Sequence, residues 1–266
     1  MGAMTARLFT LAERPDLEPA MEAMATSWPE FMFHDPVAHL YFGQLAAWAE
    51  FVLVLVDDET RGDESGGDES GGDREAVIAK AFSVPFALAG DPIRERLPAA
   101  GWDRVVSWAA RDHREQRPTD TVSALEISIR PDHQGTGLSS TLVTAMRDNA
   151  KRLGYHELVA PVRPNRKAAE PRTPMAEYAR RTRADGLPAD DWLRVHVRLG
   201  GVIERVAEQA MTITGSLADW REWTGLPFDE SGLTEVPGAL VPVHVSVEHD
   251  YAVYVEPNVW IRHSLA

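Results

Sequence analysis

Apolar and polar side chains alternate most clearly at residues 122–130. The two sets are predicted to lie on opposite faces of one strand: Leu125, Ile127 and Ile129 against Glu126, Ser128 and Arg130. A period of two is typical of a strand with unlike faces. Because a central strand is normally apolar on both faces, the polar set predicts that its face opens into a cleft.

A turn and a helix follow this strand. Pro131 breaks the strand, and Gly135 and Gly137 permit close backbone approaches that a side chain would block. Apolar residues then recur at steps of three and four over residues 138–153, which predicts an amphipathic helix that ends at Gly154. Free amides at a helix N-terminus favour an anion, so the turn is suited to a pyrophosphate.

The remaining periodicity predicts further strands and helices around this stretch. The run FVLVLV at residues 51–56 is typical of a strand covered on both faces, with residues 76–85 as its partner. Further strands are predicted at residues 7–12, 157–162, 202–206, 210–214, 241–247 and 251–255. Further helices are predicted at residues 16–26, 37–50, 102–113, 175–183, 190–199 and 216–224. We therefore expect one elaborated α/β domain over residues 1–266, with a helical insertion at 170–190 and a C-terminal extension at 215–266.

Residues 57–75 differ from the rest of the chain. They contain nine acidic residues against two arginines and repeat the sequence GDESG, so they carry half of the net charge of −14. Such a segment buries too little apolar surface to offset the entropy of ordering. A disordered hairpin loop is predicted here.

Composition excludes several classes of function. The chain has no cysteine, which rules out a thiolate nucleophile, a disulfide framework and a thiolate metal site. Neither a His-Glu-x-x-His helix nor a Gly-x-Ser-x-Gly elbow is present, and the acidic loop lacks calcium-loop spacing, so no metal is expected. The net charge disfavours nucleic acid. The chain shows neither a secretory signal nor a membrane-spanning run, and we expect a soluble, cytoplasmic protein.

The glycine turn resembles the acetyl-coenzyme A motif of the GNAT superfamily of N-acetyltransferases, Gln/Arg-x-x-Gly-x-Gly/Ala. It runs here as Gln134, Gly137 and Ser139, with serine in place of the last Gly/Ala. Asn165-x-x-Ala168 and residues 195–201 resemble parts of the family's second motif. The resemblance implies a twisted, mostly antiparallel mixed sheet that is splayed around an acyl-CoA site and flanked by helices.

The resemblance also implies acetyl-CoA as cosubstrate and a set of residues that bind it. Backbone groups of Ile127 and Ile129 would meet the pantetheine arm, and the amides of the glycine turn would meet the pyrophosphate. The implied cofactor-binding residues are Ile127, Ile129, Gln134, Gly135, Thr136, Gly137, Leu138, Ser139, Ser140 and Asn165.

Three residues are candidates for catalysis. Glu126 is the candidate general base, because it lies on the polar face within a few residues of the expected pantetheine site. The alternative is a glutamate that pairs with a neighbouring arginine or is exposed at a strand margin. His196 stands where the family often has the tyrosine that protonates the leaving thiolate, although a histidine bonded within the core fits the sequence as well. Tyr178 is the alternative proton donor.

The aromatic segment before residue 36 also has two interpretations. Trp28, Phe31 and Phe33 either form a wall of the acceptor pocket or pin a loop to the core. Together these features predict an acetyl-CoA-dependent N-acyltransferase that acts directly on a small-molecule or peptide amine. A CoA-binding regulatory or scaffold domain without turnover is the alternative, and the sequence leaves a homodimer open.

Overall fold

A computed structural model of the chain describes residues 6–58, 75–89, 94 and 96–266. The strands are β1 Ala6–Thr10, β2 Val52–Asp58, β3 Glu75–Phe86, β4 Thr121–Ile129, β5 Glu157–Val162, β6 Val202–Gly215, β7 Gly232–Thr234, β8 Val243–Ser246 and β9 Tyr251–Ser264. The α-helices are α1 Glu18–Glu22, α2 His39–Phe42, α3 Gly101–Arg114, α4 Leu138–Arg152, α5 Met175–Tyr178, α6 Asp191–Arg198 and α7 Leu217–Thr224.

The strands form one mixed sheet, which confirms the predicted fold class. Its order is β1-β2-β3-β4-β5-β9-β8-β7, and β6 also pairs with β9. Every pairing among the described strands is antiparallel except that of β4 with β5. This parallel pair has only two registered positions, Val122 with Leu158 and Ser123 with Val159. The strands therefore separate beyond Ser123, and the sheet splays open near its centre.

Helices cover the two faces of the sheet on either side of this opening. On one face α3 buries Trp102 and Val105 against strand residues such as Val54. On the other face α4 buries Leu142 and Met146. Both helices present one apolar side to the sheet, and this burial is the main stabilising contribution expected of such packing.

The C-terminal residues are part of the same sheet. β9 lies between β5 and β8 and also pairs with β6, and a third buried cluster joins Trp220 and Tyr254 to Phe31. α7 begins with a capping box between Ser216 and Asp219, as the sequence indicates. Residues 215–266, which we predicted as an extension, thus supply a strand next to β5.

Several predicted elements are wrong in extent. The predicted helix at residues 37–50 is interrupted at Gly43, which ends α2, and a 3-10 helix Leu45–Phe51 follows. The predicted helix at 16–26 is reduced to Pro15–Leu17 and α1, because prolines at 15 and 19 restrict it to short turns.

Two further boundaries differ from the pattern. α5 ends at Tyr178 rather than at residue 183, because the chain turns back to form a bridge between Thr182 and Pro188. The two strands predicted at 202–206 and 210–214 are one strand, β6, whose register shifts account for the break in alternation.

The acidic segment falls largely outside the described structure. Residues 59–74 are not described, so the predicted disordered loop stays a prediction. Its flanks are the paired strands β2 and β3, and the predicted pairing of these strands is confirmed. In the described part of the chain, every helix is too short or too polar to span a bilayer.

Candidate active site

A cavity of about 590 Å³ occupies the opening between β4 and β5. Its wall includes every residue of β4 from Ala124 to Ile129 and residues 160–162 of β5. The turn before α4 contributes to one side, and the aromatic segment at residues 28–33 contributes to the other. The cavity therefore connects the two faces of the sheet through the splay.

A β-bulge in β4 determines which side chains enter this cavity. Glu126 lies opposite Phe82 and Ala124 opposite Ser83, so Leu125 is an extra residue without a partner on β3. Leu125 packs with the cluster around α3, whereas Ile127 packs with the cluster around α4. The predicted sharing of one face by these two residues is thus wrong, because the bulge reverses the alternation.

Glu126 is held at the cavity wall by two donors. The Trp28 Nε1–H and the Ser128 hydroxyl both donate to its Oε1, over 3.2 and 2.5 Å. Burial raises the pKa of the Glu126 carboxyl, although the Ser128 hydrogen bond and the Lys80 charge oppose this shift. The alternative that we considered, a structural pair with an arginine, does not describe these contacts.

The glycine turn leaves room for a ligand beside the start of α4. Gly135 and Gly137 have φ angles of +77° and +91°, and an added Cβ at either position would meet no atom within 4 Å. The first amides of a helix lack intrahelical partners, and they lie beside this space. The residues present therefore fit the pyrophosphate of acetyl-CoA.

The implied cofactor-binding residues divide into two groups. Six of them line the cavity: Ile127, Ile129, Gln134, Gly135, Ser139 and Asn165. Gly137, Ser140, Thr136 and Leu138 are not among its lining residues; the Thr136 hydroxyl donates to the His133 carbonyl and the Leu138 side chain is in the core. If these four residues bind the cofactor, they would do so through their backbone amides.

His196 reaches the cavity wall, but it is part of a buried histidine pair. Its Nδ1 lies 3.0 Å from Nε2 of His263. Burial, with a smaller effect of His263, lowers the pKa of His196 to about 3. The imidazole is therefore neutral at physiological pH, and it meets the cavity as a neutral hydrogen-bonding group.

Tyr178 is not brought to the cavity. Its hydroxyl donates to Oδ2 of Asp190 over 2.9 Å, and Asp190 caps the N-terminus of α6. The ring is buried beside the Lys167 ammonium. These contacts connect the inserted segment to α6, and they place the phenol away from the other two catalytic candidates.

The aromatic segment is divided between the cavity wall and the core. Trp28 and Phe33 line the cavity, and Phe42 joins them. Phe33 and Phe42 remain 54% and 41% exposed, so two aromatic faces are accessible at this side. Phe31 instead lies in the core, where its ring meets those of Trp220 and Tyr254.

The sequence did not identify a group of polar residues on the side of the cavity near Trp28. Arg163 follows β5, and Glu256 and Asn258 come from β9; all three line the cavity. The Arg163 Nε–H donates to the Glu256 carboxylate over 2.9 and 3.1 Å. Glu256 and Asn258 interrupt the apolar run at residues 252–261, which is the signal that could have identified them.

The described ranges, which omit residues 1–5, 59–74, 90–93 and 95, hold no group of three side chains suited to a metal ion. The polar side chains that line the cavity carry carboxylate, guanidinium, carboxamide, indole, hydroxyl and imidazole groups. They suit proton transfer and the binding of charged groups.

The chain is similar to known acetyltransferases in sequence. The model of the acetyltransferase (GNAT) family matches residues 99–171. Arginine N-acetyltransferase avaD of Aspergillus versicolor is 30% identical over an alignment of 286 residues, which covers 97% of this chain and 93% of that protein.

Solved structures share the fold at much lower identity. The loading GNATL domain of CurA from Lyngbya majuscula has a TM-score of 0.55 at 16% identity, covering 99% of this chain and 98% of that one. The GphF GNAT-like decarboxylase, solved with isobutyryl-CoA, has a TM-score of 0.50 at 13% identity over 98% and 100% of the two chains. At these identities the likeness concerns the fold alone.

Proposed function

Because the chain belongs to the GNAT family of N-acetyltransferases, we propose that it transfers the acetyl group of acetyl-CoA to a nitrogen of arginine or of a related cationic amino acid. The transfer of an acyl group to an amine follows from the family. The choice of arginine is the proposal. It rests on the arginine N-acetyltransferase relative and on the chemistry of one side of the cavity. This side, which we take as the acceptor side, is formed by Trp28, Phe33, Phe42 and Arg163.

One observation carries this proposal: a carboxyl group, Glu126, faces the cavity where β4 and β5 separate. A carboxylate there attracts a cationic amine and accepts the proton that the amine must lose. Only Oε1 receives hydrogen bonds from described residues, so Oε2 is left for the acceptor or for a bridging water.

The aromatic side of the cavity suits a guanidinium group. Phe33 and Phe42 expose their rings there, and a guanidinium binds favourably over an aromatic face. Such a contact contributes about 0.5–1 kcal/mol at exposed sites. An arginine side chain could therefore lie along these rings while its reacting nitrogen points to Glu126.

In the proposed reaction the acceptor nitrogen forms a bond to the acetyl carbon, and the bond between that carbon and the thioester sulfur breaks. Coenzyme A leaves as a thiolate, which takes a proton from solvent. Glu126 takes the proton from the nitrogen, directly or through water. His196, held neutral by burial, offers a hydrogen bond at the cavity wall rather than a formal charge. Much of the rate would come from holding the two reactants in register within the cavity.

Thiol release tests this proposal directly. Purified protein is incubated with acetyl-CoA and arginine, lysine, tryptamine or glycine, and free thiol and acetylated product are measured by absorbance and mass spectrometry. We expect release with arginine above the rate of water hydrolysis and an adduct of one acetyl group. Calorimetry with acetyl-CoA accompanies the assay, and binding without release from any amine would support the scaffold alternative instead.

A further inference from the structure

Arg163 is fixed at the acceptor side of the cavity by two of its three nitrogens. Nε donates to the fully buried Glu256 carboxylate, and Nη2 donates to the Gly238 carbonyl over 2.5 Å. The Tyr254 side chain also interacts with the guanidinium, whereas the hydrogen bonds to Glu256 and Gly238 use Nε and Nη2 and leave Nη1 out. The guanidinium is thus oriented by the protein, and one donor nitrogen remains available.

Glu256 does not depend on Arg163 alone. The Tyr254 hydroxyl donates to it over 2.7 Å, and the Asn258 amide donates over 3.0 Å. Tyr254, Asn258 and Arg163 together satisfy the hydrogen-bonding capacity of the Glu256 carboxylate. We therefore do not expect Glu256 to bind a substrate cation. The Asn258 amide nitrogen already donates to Glu256 and to the Pro257 carbonyl, so Arg163 is the member of this group with a donor left for a ligand in the cavity.

Trp28 lies between Arg163 and Glu126. The Arg163 guanidinium carbon is 5.4 Å from the centroid of the Trp28 ring, and the indole Nε1 is 3.2 Å from Oε1 of Glu126. A cation and a carboxyl group are therefore held about one indole apart on the same cavity wall. An α-amino acid has the complementary pair, a carboxylate and an amine on one carbon.

Resting on the proposed function, we propose that Arg163 binds the carboxylate of the acceptor and thereby selects free α-amino acids over amines that lack a carboxylate. The amine of the same molecule then lies on the Glu126 side of Trp28. Arginine is the residue best suited to this role, because its planar guanidinium can meet a carboxylate with more than one N–H. Arg163 is thus a specificity-determining residue of the acceptor site.

The contacts of Arg163 distinguish this role from cofactor binding. Its partners, Glu256, Gly238 and Trp28, come from β9, the loop before β8 and the N-terminal aromatic segment. The turn suited to the pyrophosphate lies at the start of α4, in a different part of the cavity wall. A loss of acetyl-CoA binding is therefore not expected when Arg163 is changed.

Agmatine, which is arginine without its carboxylate, and arginine methyl ester, in which the carboxylate is masked, test the assignment. For the wild-type chain we expect kcat/KM for arginine to exceed that for either analogue by about 100-fold, the order of magnitude expected when a buried charge loses its partner. In Arg163→Met we expect the value for arginine to fall by about 100-fold and the values for the two analogues to change less than about threefold.

Two further variants keep the test interpretable. Arg163→Met combined with Glu256→Gln removes both charges, so that no buried carboxylate is left unpaired if the single variant fails to fold. Arg172→Met is the matched control, because Arg172 is 68% exposed and pairs with Glu235 at the surface. Far-UV circular dichroism and acetyl-CoA affinity verify that each variant is folded.

The outcomes separate the assignment from the proposed function. Equal kcat/KM for arginine and agmatine in the wild-type chain, or an equal loss for all three amines in the folded variants, overturns the role of Arg163 alone. No thiol release from any of the three amines overturns the proposed function, and the role of Arg163 with it. A loss confined to arginine supports both.

Discussion

Glu126 shows how two neutral donors and burial act together on one carboxyl group. Trp28 and Ser128 both donate to the same oxygen, and neither brings a positive charge. Burial is the largest influence and raises the pKa, so the carboxyl is a stronger base than an exposed glutamate. A base with a raised pKa is better matched to removing a proton near neutral pH.

Replacing Glu126 by glutamine should lower kcat/KM by about 10²–10³-fold, the usual contribution of a positioned base. Acetyl-CoA affinity should change little, because the side chain is on the acceptor side of the cavity. In the wild-type chain the rate should fall as the pH drops through a pKa above that of an ordinary glutamate, since only the ionised carboxyl accepts a proton. This acidic limb of the pH–rate profile should be absent in Glu126→Gln.

Steady-state kinetics between pH 4.5 and 8 measure both effects, and Glu222→Gln, an exposed position on α7, is the control. A variant that kept wild-type turnover and the same pH limb would remove Glu126 from the base role.

At the scale of single residues, the sequence identified some of the site and missed the rest. Glu126 was recognisable because it shares a polar face with Ser128 on a strand that is expected to be central and apolar. Arg163 and Glu256 were not, since they are 93 positions apart and meet only when β9 pairs with β5. Tyr178 was proposed as a proton donor, but the fold uses its hydroxyl to bind Asp190.

Among the elements, the turn before α4 has a left-handed backbone conformation that glycine adopts more easily than other residues. Gly137 occupies the N-cap of α4 with φ +91°, and Gly154 follows the same helix at its other end with φ +90°. Neither position is crowded, so alanine would be strained by its backbone angle and not by its neighbours.

Gly137→Ala and Gly154→Ala should each lower the free energy of unfolding by about 1–2 kcal/mol, the cost of a left-handed backbone for an L-residue. Only Gly137→Ala should also weaken acetyl-CoA binding, by about tenfold or more, because it alters the amides at the helix start. Urea unfolding and calorimetry measure the two quantities. Equal acetyl-CoA affinities in the two variants would contradict the assignment of this turn to the pyrophosphate.

A pair of carboxyl groups joins three elements behind the acceptor side. Asp35 follows the 3-10 helix Glu30–His34, Asp103 lies in α3, and the Thr212 amide of β6 donates to Asp103 over 3.0 Å. Oδ2 of Asp35 and Oδ1 of Asp103 are buried without a hydrogen-bond partner among the described residues, and the two carboxyl groups repel each other when both are ionised. A proton shared between them would relieve this repulsion. Burial and the nearby charge of Asp35 raise the pKa of Asp103 to about 9.

This shared proton should make stability depend on pH. The folded chain holds the proton between the unfolded pKa of 3.8 and the folded value of about 9, so stability is lost as the pH rises through this window. The slope is at most about 1.4 kcal/mol per pH unit. Asp103→Asn should flatten it, and urea unfolding at pH 5 and pH 8 measures the difference. A wild-type slope that the variant leaves unchanged would show that the proton is not shared.

The elements were predictable where periodicity was long and caps were clear. α3, α4, α6 and α7 match their predicted positions within one or two residues, since each has an apolar stripe of two turns or more. The helices between Pro15 and Phe51 were not predictable from the sequence, because they are short and are stabilised by tertiary packing rather than by a repeating apolar pattern. The bulge at Leu125 was hidden, since an inserted apolar residue preserves the alternation in the sequence while reversing it in space.

In the whole molecule, the region that the family model matches is smaller than the sheet that holds it. The GNAT family model matches residues 99–171, which include β4 and β5 but neither β3 nor β9. Those two outer partners supply the antiparallel ladders that hold β4 and β5, whereas β4 and β5 share only two registered positions. We therefore propose that the chain folds as one cooperative unit.

A fragment of residues 99–171 should be unfolded, and so should a chain that ends at Gly215, which lacks β9. The physical reason is that each leaves β5 without its antiparallel partner and exposes the apolar faces of the remaining elements. Amide dispersion by NMR and thermal unfolding by circular dichroism measure this, with the full chain as the reference. A dispersed spectrum and a cooperative transition for either truncation would show that a smaller part folds independently.

The splay between β4 and β5 has a consequence for the stability of the folded chain and its resistance to proteolysis. Beyond Ser123, no described strand lies between the facing edges of β4 and β5, and the resemblance implies that the amide-bearing pantetheine chain lies there. The ligand then completes the hydrogen bonding of the sheet. At a cofactor concentration of 100 times its Kd, binding would add about 2.7 kcal/mol to stability. The supply of acyl-CoA would thus set both the rate of acetylation and the lifetime of the folded chain against proteolysis.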